Sequence, residues 1–270
     1  SAYESAYNTL EVYQTGIKTL KDAGYYVIGR ITAFNDPHLA EDHPECVIAD
    51  QAGEPLQIGG ILASVYSRFV WQYKVELGLE AARLMGFDEI QFDYIRFPDG
   101  TWAFEEGAID YRNENGESKA QAVQRFLMYA CDRLHDAGCM SPPMCSGVRR
   151  GYVTAYGQYW PAISNVVDAI SAMPYPDHYG ASGGLVAGEH PYETMYAFGE
   201  AAQRQLETAS PAAVRTWVQA YNAIRGYNTY GPEEVGAQIK ALRGHRQHRW
   251  VSHMERSLSA GEILGVGSGI

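Results

Sequence analysis

The chain has 270 residues, of which 21 are Lys or Arg and 32 are Asp or Glu, so its formal net charge is −11. Hydrophobic residues make up 46% of it, which excludes a disordered or collagen-like chain. The acidic excess argues against nucleic acid or an anionic membrane as a partner, because both require basic patches. No apolar run approaches the roughly 18 residues of a membrane span. The four cysteines have neither CxxC nor metal-ligand spacing.

Three stretches repeat one pattern, in which an amphipathic helix is followed by a glycine and then by a β-type run. Apolar residues recur at helical spacing over 10–20, 70–84 and 120–134, so each set lies on one helix face. A glycine follows each set, where a residue without Cβ can adopt the left-handed conformation that ends a helix. Strands are predicted after the first two glycines, at 25–31 and 89–94.

The second half of the chain continues this alternation. Strands are predicted at 168–173 and 213–218, and helices at Tyr192–Leu206 and Glu233–Leu242. Helices that alternate with single strands are typical of parallel strands joined by crossovers. No low-complexity linker divides the sequence. We therefore predict an α/β fold over 1–270, in one domain, with the four clear strands adjacent and parallel in a barrel-like sheet.

Two connections, 34–69 and 95–118, are long for such a fold. Both follow strand ends, the side where α/β folds place their active sites. The strand before the second connection reads Glu-Ile-Gln-Phe-Asp at 89–93. Alternation places Glu89, Gln91 and Asp93 on one face, although a parallel strand is normally apolar on both. This indicates a functional face with Asp93 nearest the catalytic mouth; the alternative is a structural ion pair with Arg30 or Arg96.

A series of motifs runs along the chain in a fixed order. The longest is Gly-Phe-Asp-Glu-Ile-Gln-Phe-Asp-Tyr-Ile-Arg-Phe-Pro at 86–98, which follows Tyr-Val-Ile-Gly-Arg-Ile at 26–31. Shorter motifs follow at 157–160, 173–179, 214–219 and 237–239. Together they resemble a glycoside-hydrolase-like barrel domain family of bacterial proteins that is otherwise of unknown function. The resemblance implies a (β/α)8 TIM barrel. Because the family usually has about two more strands upstream, we expect about six strands here and a missing N-terminal part.

Two segments depart from the family's pattern. Its fifth-strand motif, Ser-Ala-Asp-Val-Phe-Gly, would fall near 139–147, where Pro142 and Pro143 remove donors that a central strand needs. The tail 245–270 begins with many His and Arg residues where the family's last strand is apolar. Back-translated codons read in another frame permit the family's motifs at both places, so we hypothesise local frameshifts. We expect Pro142–Pro143 not to pair as a strand and the tail to pack poorly.

Glycoside hydrolysis normally needs two carboxyl groups, and Asp93 is the predicted catalytic one. By resemblance, the second would be the Asp of the fifth-strand motif, which this chain does not encode. Asp36 and Asp177 follow other strands and are alternative carboxylates, although turn or capping roles suit both. Asp36 is also a candidate for substrate binding.

The remaining candidates are substrate-binding residues near other strand ends. Arg30 would hold Asp93 ionised, bind substrate or form a purely structural ion pair. Tyr175 and His178 follow the strand at 168–173 and are candidates for lining the sugar site, as is Gln91 beside Asp93. Trp217 and Gln219 share one strand face, which suits a stacking platform and a hydroxyl partner, while a core role suits Trp217 equally well.

The sequence and the resemblance together predict a hydrolase acting on a polysaccharide or cell-envelope glycan. The alternative is a non-catalytic carbohydrate-binding barrel that has lost its second carboxylate. We expect a carbohydrate partner, no nucleic acid and no membrane span. No metal or nucleotide motif occurs in the sequence, so we expect no cofactor. An extracytoplasmic or cell-envelope location is expected.

Overall fold

The computed structural model describes residues 9–58, 60–139, 144–145, 155–180, 185–206, 212–222, 230–244 and 248–254. The helices in these ranges are α1 (Leu10–Asp22), α2 (Pro37–Asp42), α3 (Arg68–Met85), α4 (Lys119–Asp136), α5 (Trp160–Ser164), α6 (Pro191–Leu206) and α7 (Pro232–Arg243). The strands are β1 (Ile28–Thr32), β2 (Ala49–Asp50), β3 (Glu89–Asp93), β4 (Ile109–Asp110), β5 (Met144–Cys145), β6 (Ala169–Ala172), β7 (Ala213–Gln219) and β8 (His248–Met254).

The helix–glycine–strand pattern is confirmed, and α3 shows its local causes. The Ser67 hydroxyl accepts the backbone N–H of Val70 and caps the start of the helix. Gly86 ends the helix with φ 77°, a left-handed conformation that costs a glycine nothing. The chain then enters β3 within three residues. The first strand is shorter than predicted, since β1 begins at Ile28 rather than at Tyr25.

The chain divides into two compact units, of which the first comprises Ser1–Cys145 and Gly151–Asp168. Its centre is a parallel pair in which β1 residues Ile28 to Thr32 lie opposite β3 residues Glu89 to Asp93. Helix α3 packs closely on this pair at Gly78. A Cβ added there would lie 3.2 Å from the Ile90 side chain, so the helix can approach the strands because Gly78 has no side chain. The ring of Phe126 in α4 contacts Phe34, Phe92 and Trp71 at centroid distances of 5.0, 5.5 and 6.0 Å.

The two long connections leave the carboxyl ends of β1 and β3 and pair with each other. Strand β2 of the first connection is antiparallel to β4 of the second. The Ser64 hydroxyl donates to the carbonyl oxygen of Tyr111 over 2.5 Å, and Arg112 Nε donates to the carbonyl oxygen of Val47 over 3.1 Å. Backbone polar groups of each connection are therefore hydrogen-bonded by the other connection.

The second unit comprises Ser146–Arg150 and Ala169–Ile270. Within it β7 is parallel to β6, with Ile170 opposite Val214, and parallel to β8, with Gln219 opposite Met254. The ladder between β7 and β8 has one irregularity, between Val214 and Arg215. Helices α6 and α7 pack against each other.

The parallel pairing of the predicted strands is confirmed inside each unit, by β1 with β3 and by β6 with β7. Within the described residues the two pairs belong to separate sheets, β1–β3 and β5–β6–β7–β8, so a single barrel sheet of about six strands is not confirmed and stays a prediction. Strand β8 pairs with β7, and the poor packing of the tail and its origin in a frameshift stay predictions. The ladder forms because it uses backbone groups, which every residue except proline supplies. Pro142–Pro143 lie outside the described residues. No helix within the described ranges is long and apolar enough to cross a membrane.

Candidate functional site

Asp93 is the last residue of β3, and its side chain is 6% exposed. Arg30 in β1 forms an ion pair with it, donating from both Nε and Nη2 to Oδ2, with the Nε–Oδ2 distance 3.1 Å. The Arg30 side chain is 34% exposed, so the carboxylate of the pair is buried and the guanidinium is partly exposed. Of the two arginines considered from the sequence, Arg30 is the partner; the Arg96 guanidinium instead lies 5.2 Å from the ring centre of Tyr94.

The other oxygen of Asp93 is fixed by the backbone. Its Oδ1 accepts the N–H of Tyr94 over 2.7 Å. Tyr94 has φ 53°, a left-handed conformation that residues with a Cβ rarely adopt and that clusters at functional sites. The sequence gives no signal for this conformation, because glycine, asparagine or aspartate would be its ordinary occupants. The turn directs the chain out of β3 and aims one N–H at the carboxylate.

The rest of the polar face of β3 is buried, like the whole strand. Gln91 is fully buried and lies opposite Arg30 in the parallel register. Glu89, at the start of the strand, accepts the Tyr26 hydroxyl over 3.1 Å. Gln91 therefore sits beside the ion pair, whereas Glu89 belongs to the opposite end of the strand.

Asp36 has a capping role. Its Oδ1 accepts the backbone N–H groups of His38 and Leu39, both over 3.1 Å, at the start of α2. Its Oδ2 forms an ion pair with Lys74, whose side chain is 2% exposed on α3. Burial raises the pKa of Asp36, but the Lys74 and backbone hydrogen bonds outweigh it and leave that pKa below its ordinary value. These contacts fasten the first connection to α3.

A second polar group lies in the second unit, where β6 and β7 end. Asp177 follows β6, and its Oδ1 accepts the hydroxyl of Tyr221, which follows β7, over 3.1 Å. The Nε2 atom of His178 lies 3.6 Å from the same oxygen. The Tyr175 ring packs edge-on against both the His178 and the Tyr221 rings, at centroid distances of 5.3 and 5.7 Å. The structure thus brings the predicted Tyr175 and His178 together around a carboxylate.

Gln219 connects the ends of these two strands. Its side chain accepts the backbone N–H of Asp177 and donates to the carbonyl oxygen of Tyr221, both over 3.1 Å. Its own backbone is held by the Gln238 side chain of α7. The Gln219 side-chain amide, which was predicted to bind a sugar hydroxyl, is therefore hydrogen-bonded to backbone groups of this chain. Trp217, on the same face of β7, is partly exposed.

Tyr221 and Gln238 were not selected from the sequence. Tyr221 stands three residues beyond the predicted strand at 213–218, and its position after Gln219 was its only signal. Gln238 lies in the family motif at 237–239, which gave no indication of its hydrogen-bond partner. Its role appears only when β7 and α7 are placed side by side.

The fold is similar to that of solved carbohydrate-active enzymes. The spore cortex-lytic enzyme SleL of Bacillus megaterium QM B1551 matches with a TM-score of 0.59 and 10% identity over 95% of this chain and 62% of that one. A chitinase from Chromobacterium violaceum ATCC 12472 matches with a TM-score of 0.56 and 13% identity over 94% and 83%. A cycloisomaltooligosaccharide glucanotransferase from Paenibacillus sp. matches with a TM-score of 0.53 and 13% identity over 79% and 29%. The chain has a mixed α/β fold that is similar to the glycoside hydrolase barrels.

The family follows from the sequence itself. Residues 2–257 match the family described as "Putative glycosyl hydrolase domain", and the chain belongs to it. This confirms the family resemblance noted in the motifs. No curated protein matches the sequence. The chain spans less than two thirds of SleL and less than one third of the glucanotransferase.

Proposed function

We propose that the chain is a glycoside hydrolase and that Asp93 is a catalytic carboxylate. The observation that carries this proposal is the buried position of Asp93 at the carboxyl end of a parallel strand, with each oxygen fixed by a separate donor. Active sites of barrel enzymes use residues at this end of the strands. The donors cost no reorganisation when the reaction begins, because the fold has already placed them.

The hydrogen bonds that Arg30 and the Tyr94 N–H donate to Asp93 suit the role of a nucleophile or a base. Both oxygens act as hydrogen-bond acceptors in this arrangement. In a retaining enzyme Asp93 would attack the anomeric carbon, and in an inverting enzyme it would activate water. The proton for the leaving oxygen comes from a different group. In this proposal the partly exposed Arg30 and the neighbouring Gln91 bind the substrate.

The substrate class that we propose is a polysaccharide or a cell-envelope glycan. Among the enzymes that share the fold, one is named a spore cortex-lytic enzyme and another a chitinase. Chitin oligosaccharides and cortex fragments are therefore the first substrates to assay, with isomalto-oligosaccharides as a third class.

The test is the release of reducing ends by wild type and by Asp93→Asn, which keeps the shape of the side chain and removes its charge. We expect turnover to fall at least ~100-fold, as for the loss of a catalytic acid or base. The matched control is Asp110→Asn, because Asp110 is also paired with an arginine, Arg112, in the same unit. Equal activity in Asp93→Asn and wild type would reject Asp93 as the catalytic residue.

A second candidate function is carbohydrate binding without cleavage. It is favoured by residues 140–147, which contain no carboxylate where the family's fifth-strand motif has Asp. A glycan array read beside the reducing-end assay separates the two functions. Binding without release of reducing ends would support the binding module, and release of reducing ends would support the hydrolase.

A further inference from the structure

Asp177 in the second unit is held in place from several sides. Its backbone N–H donates to Gln219 Oε1, and its Oδ1 accepts the Tyr221 hydroxyl, each over 3.1 Å. Gln219 is itself fixed, because its backbone N–H donates to Gln238 Oε1 over 2.9 Å and its carbonyl oxygen accepts from Gln238 Nε2 over 2.8 Å. The carboxyl group therefore has a defined position and a defined orientation.

The second carboxylate oxygen of Asp177, Oδ2, lacks a hydrogen-bond donor among the described residues. The side chain is 1% exposed, and within the described ranges Oδ2 has no hydrogen-bond partner. A buried carboxylate oxygen without a donor is costly, and native structures keep such atoms rarely and for a reason. The fold holds the first oxygen with a hydroxyl and leaves the second available for a donor from outside the chain.

The surroundings define which donor fits. Within the described part of the chain the only ion-pair partner of Asp177 is His178, at 3.6 Å, so an anionic ligand would meet an acidic group. A bound metal ion would require more ligands, and no cluster of three His, Cys, Asp or Glu side chains occurs among the described residues. The Tyr175 and Tyr221 rings contribute apolar edges, and the His178 side chain is 55% exposed. A neutral molecule with hydroxyl groups and apolar C–H faces satisfies these conditions.

We propose that Asp177 binds a sugar ring, with Oδ2 accepting one of its hydroxyl groups and His178 forming the outer wall of the site. This inference rests on the proposed carbohydrate function and adds a binding site in the second unit. The His178 side chain is 55% exposed, and it lies 3.6 Å from Asp177 and against the edge of the Tyr175 ring. In this proposal the sugar reaches Oδ2 by displacing that exposed side chain.

The test is calorimetric titration of wild type and Asp177→Asn with chito-oligosaccharides, isomalto-oligosaccharides and cortex fragments. The asparagine keeps an oxygen for Tyr221 and places an N–H₂ donor where Oδ2 was. We expect wild type to bind at least one probe and the variant to bind it at least ~10-fold more weakly. The matched control is Glu193→Gln, an exposed carboxylate 3.9 Å from His190, which should bind as wild type does.

A second variant covers the case in which Asp177→Asn does not fold. Tyr221→Phe removes only the hydroxyl that holds Oδ1, and it should weaken binding of the same probe several-fold. Wild-type affinity in a folded Asp177→Asn or Tyr221→Phe variant would overturn the proposal. So would the absence of binding to every probe, or a crystal structure of the saturated protein with a water on Oδ2 and the sugar elsewhere.

The outcome is separable from that of the proposed hydrolase. Loss of binding in Asp177→Asn, with no reducing ends released by wild type, would support the binding site and reject the hydrolase. Unchanged binding in Asp177→Asn, with activity that depends on Asp93, would reject the binding site and support the hydrolase.

Discussion

The two units each present a carboxylate where parallel strands end, but they hold it differently. Asp93 is matched by a charged partner, Arg30, and a backbone N–H, so both of its oxygens are occupied. Asp177 accepts a neutral tyrosine hydroxyl on the oxygen that His178 approaches at 3.6 Å, and its other oxygen has no hydrogen-bond partner among the described residues. The first carboxylate makes strong hydrogen bonds to a charged donor, whereas an open oxygen suits a group that completes its hydrogen bonds with a ligand.

The largest expected effect comes from breaking the charged pair. Arg30→Gln removes the cation and, among the described residues, leaves the buried carboxylate of Asp93 with the Tyr94 N–H as its remaining donor. We expect the free energy of unfolding to fall by about 2–3 kcal/mol, below the range for a fully buried pair because Arg30 is partly exposed. Urea denaturation measures it. A loss under about 0.5 kcal/mol would show that the pair is solvated and contributes little.

A smaller effect is expected from the neutral partner in the second unit. Tyr221→Phe deletes the hydroxyl that donates to Asp177 Oδ1. The unfolding free energy should fall by about 1–2 kcal/mol, the usual cost of leaving a buried acceptor without its donor. The same urea titration compares it directly with Arg30→Gln. If Tyr221→Phe were the more damaging variant, the contrast between the charged and the neutral arrangement would be wrong.

The dependence of stability on pH extends the contrast to Asp36, which is also paired with a cation. Its pKa is lowered in the folded state, so its stabilising contribution is complete above the ordinary aspartate pKa of about 4 and is lost as the pH falls through the lower folded value. Asp36→Asn should therefore be less stable than wild type at pH 6, and the difference should narrow by pH 2.5. Denaturant titrations at both pH values measure it. A constant difference would show that Asp36 acts through its capping bonds alone.

The smallest effect concerns the backbone beside Asp93. Tyr94→Gly relieves the left-handed conformation but loses the ring that contacts Arg96, so the unfolding free energy should change by less than ~1 kcal/mol. Tyr94→Val should lose about 1 kcal/mol, because a β-branched residue tolerates this conformation worst. Thermal melting of the two variants compares them. Equal melting temperatures would mean that the turn relaxes easily.

The sequence predicted the parts of the fold that depend on periodicity and on local rules. Helices α1, α3, α4, α6 and α7 follow from apolar spacing, and the left-handed glycine after α3 follows from the absence of a Cβ. The pair of β1 with β3 follows from the same alternation. The pairing of β8 did not follow, because its composition is polar and only its backbone makes the ladder.

The candidate site was partly accessible to the same reasoning. Asp93 was identified because parallel strands are normally apolar on both faces, so a polar residue there is unusual. Arg30 was named among its partners from its place at a strand end. The Tyr94 turn and the Gln219–Gln238 link could not be found, since neither an unfavourable backbone angle nor a contact between distant elements leaves a pattern in the sequence.

The central claim, that the Asp93 carboxylate itself takes part in the reaction, is tested most directly by chemical rescue. Asp93→Ala removes the carboxylate and leaves room for a small anion, so turnover should be lost. Adding sodium formate or azide should restore part of the release of reducing ends or yield a glycosyl azide, while Asp110→Asn should neither lose activity nor respond to the anions. A folded Asp93→Ala variant that keeps wild-type turnover, or that stays inactive with both anions, would contradict the account.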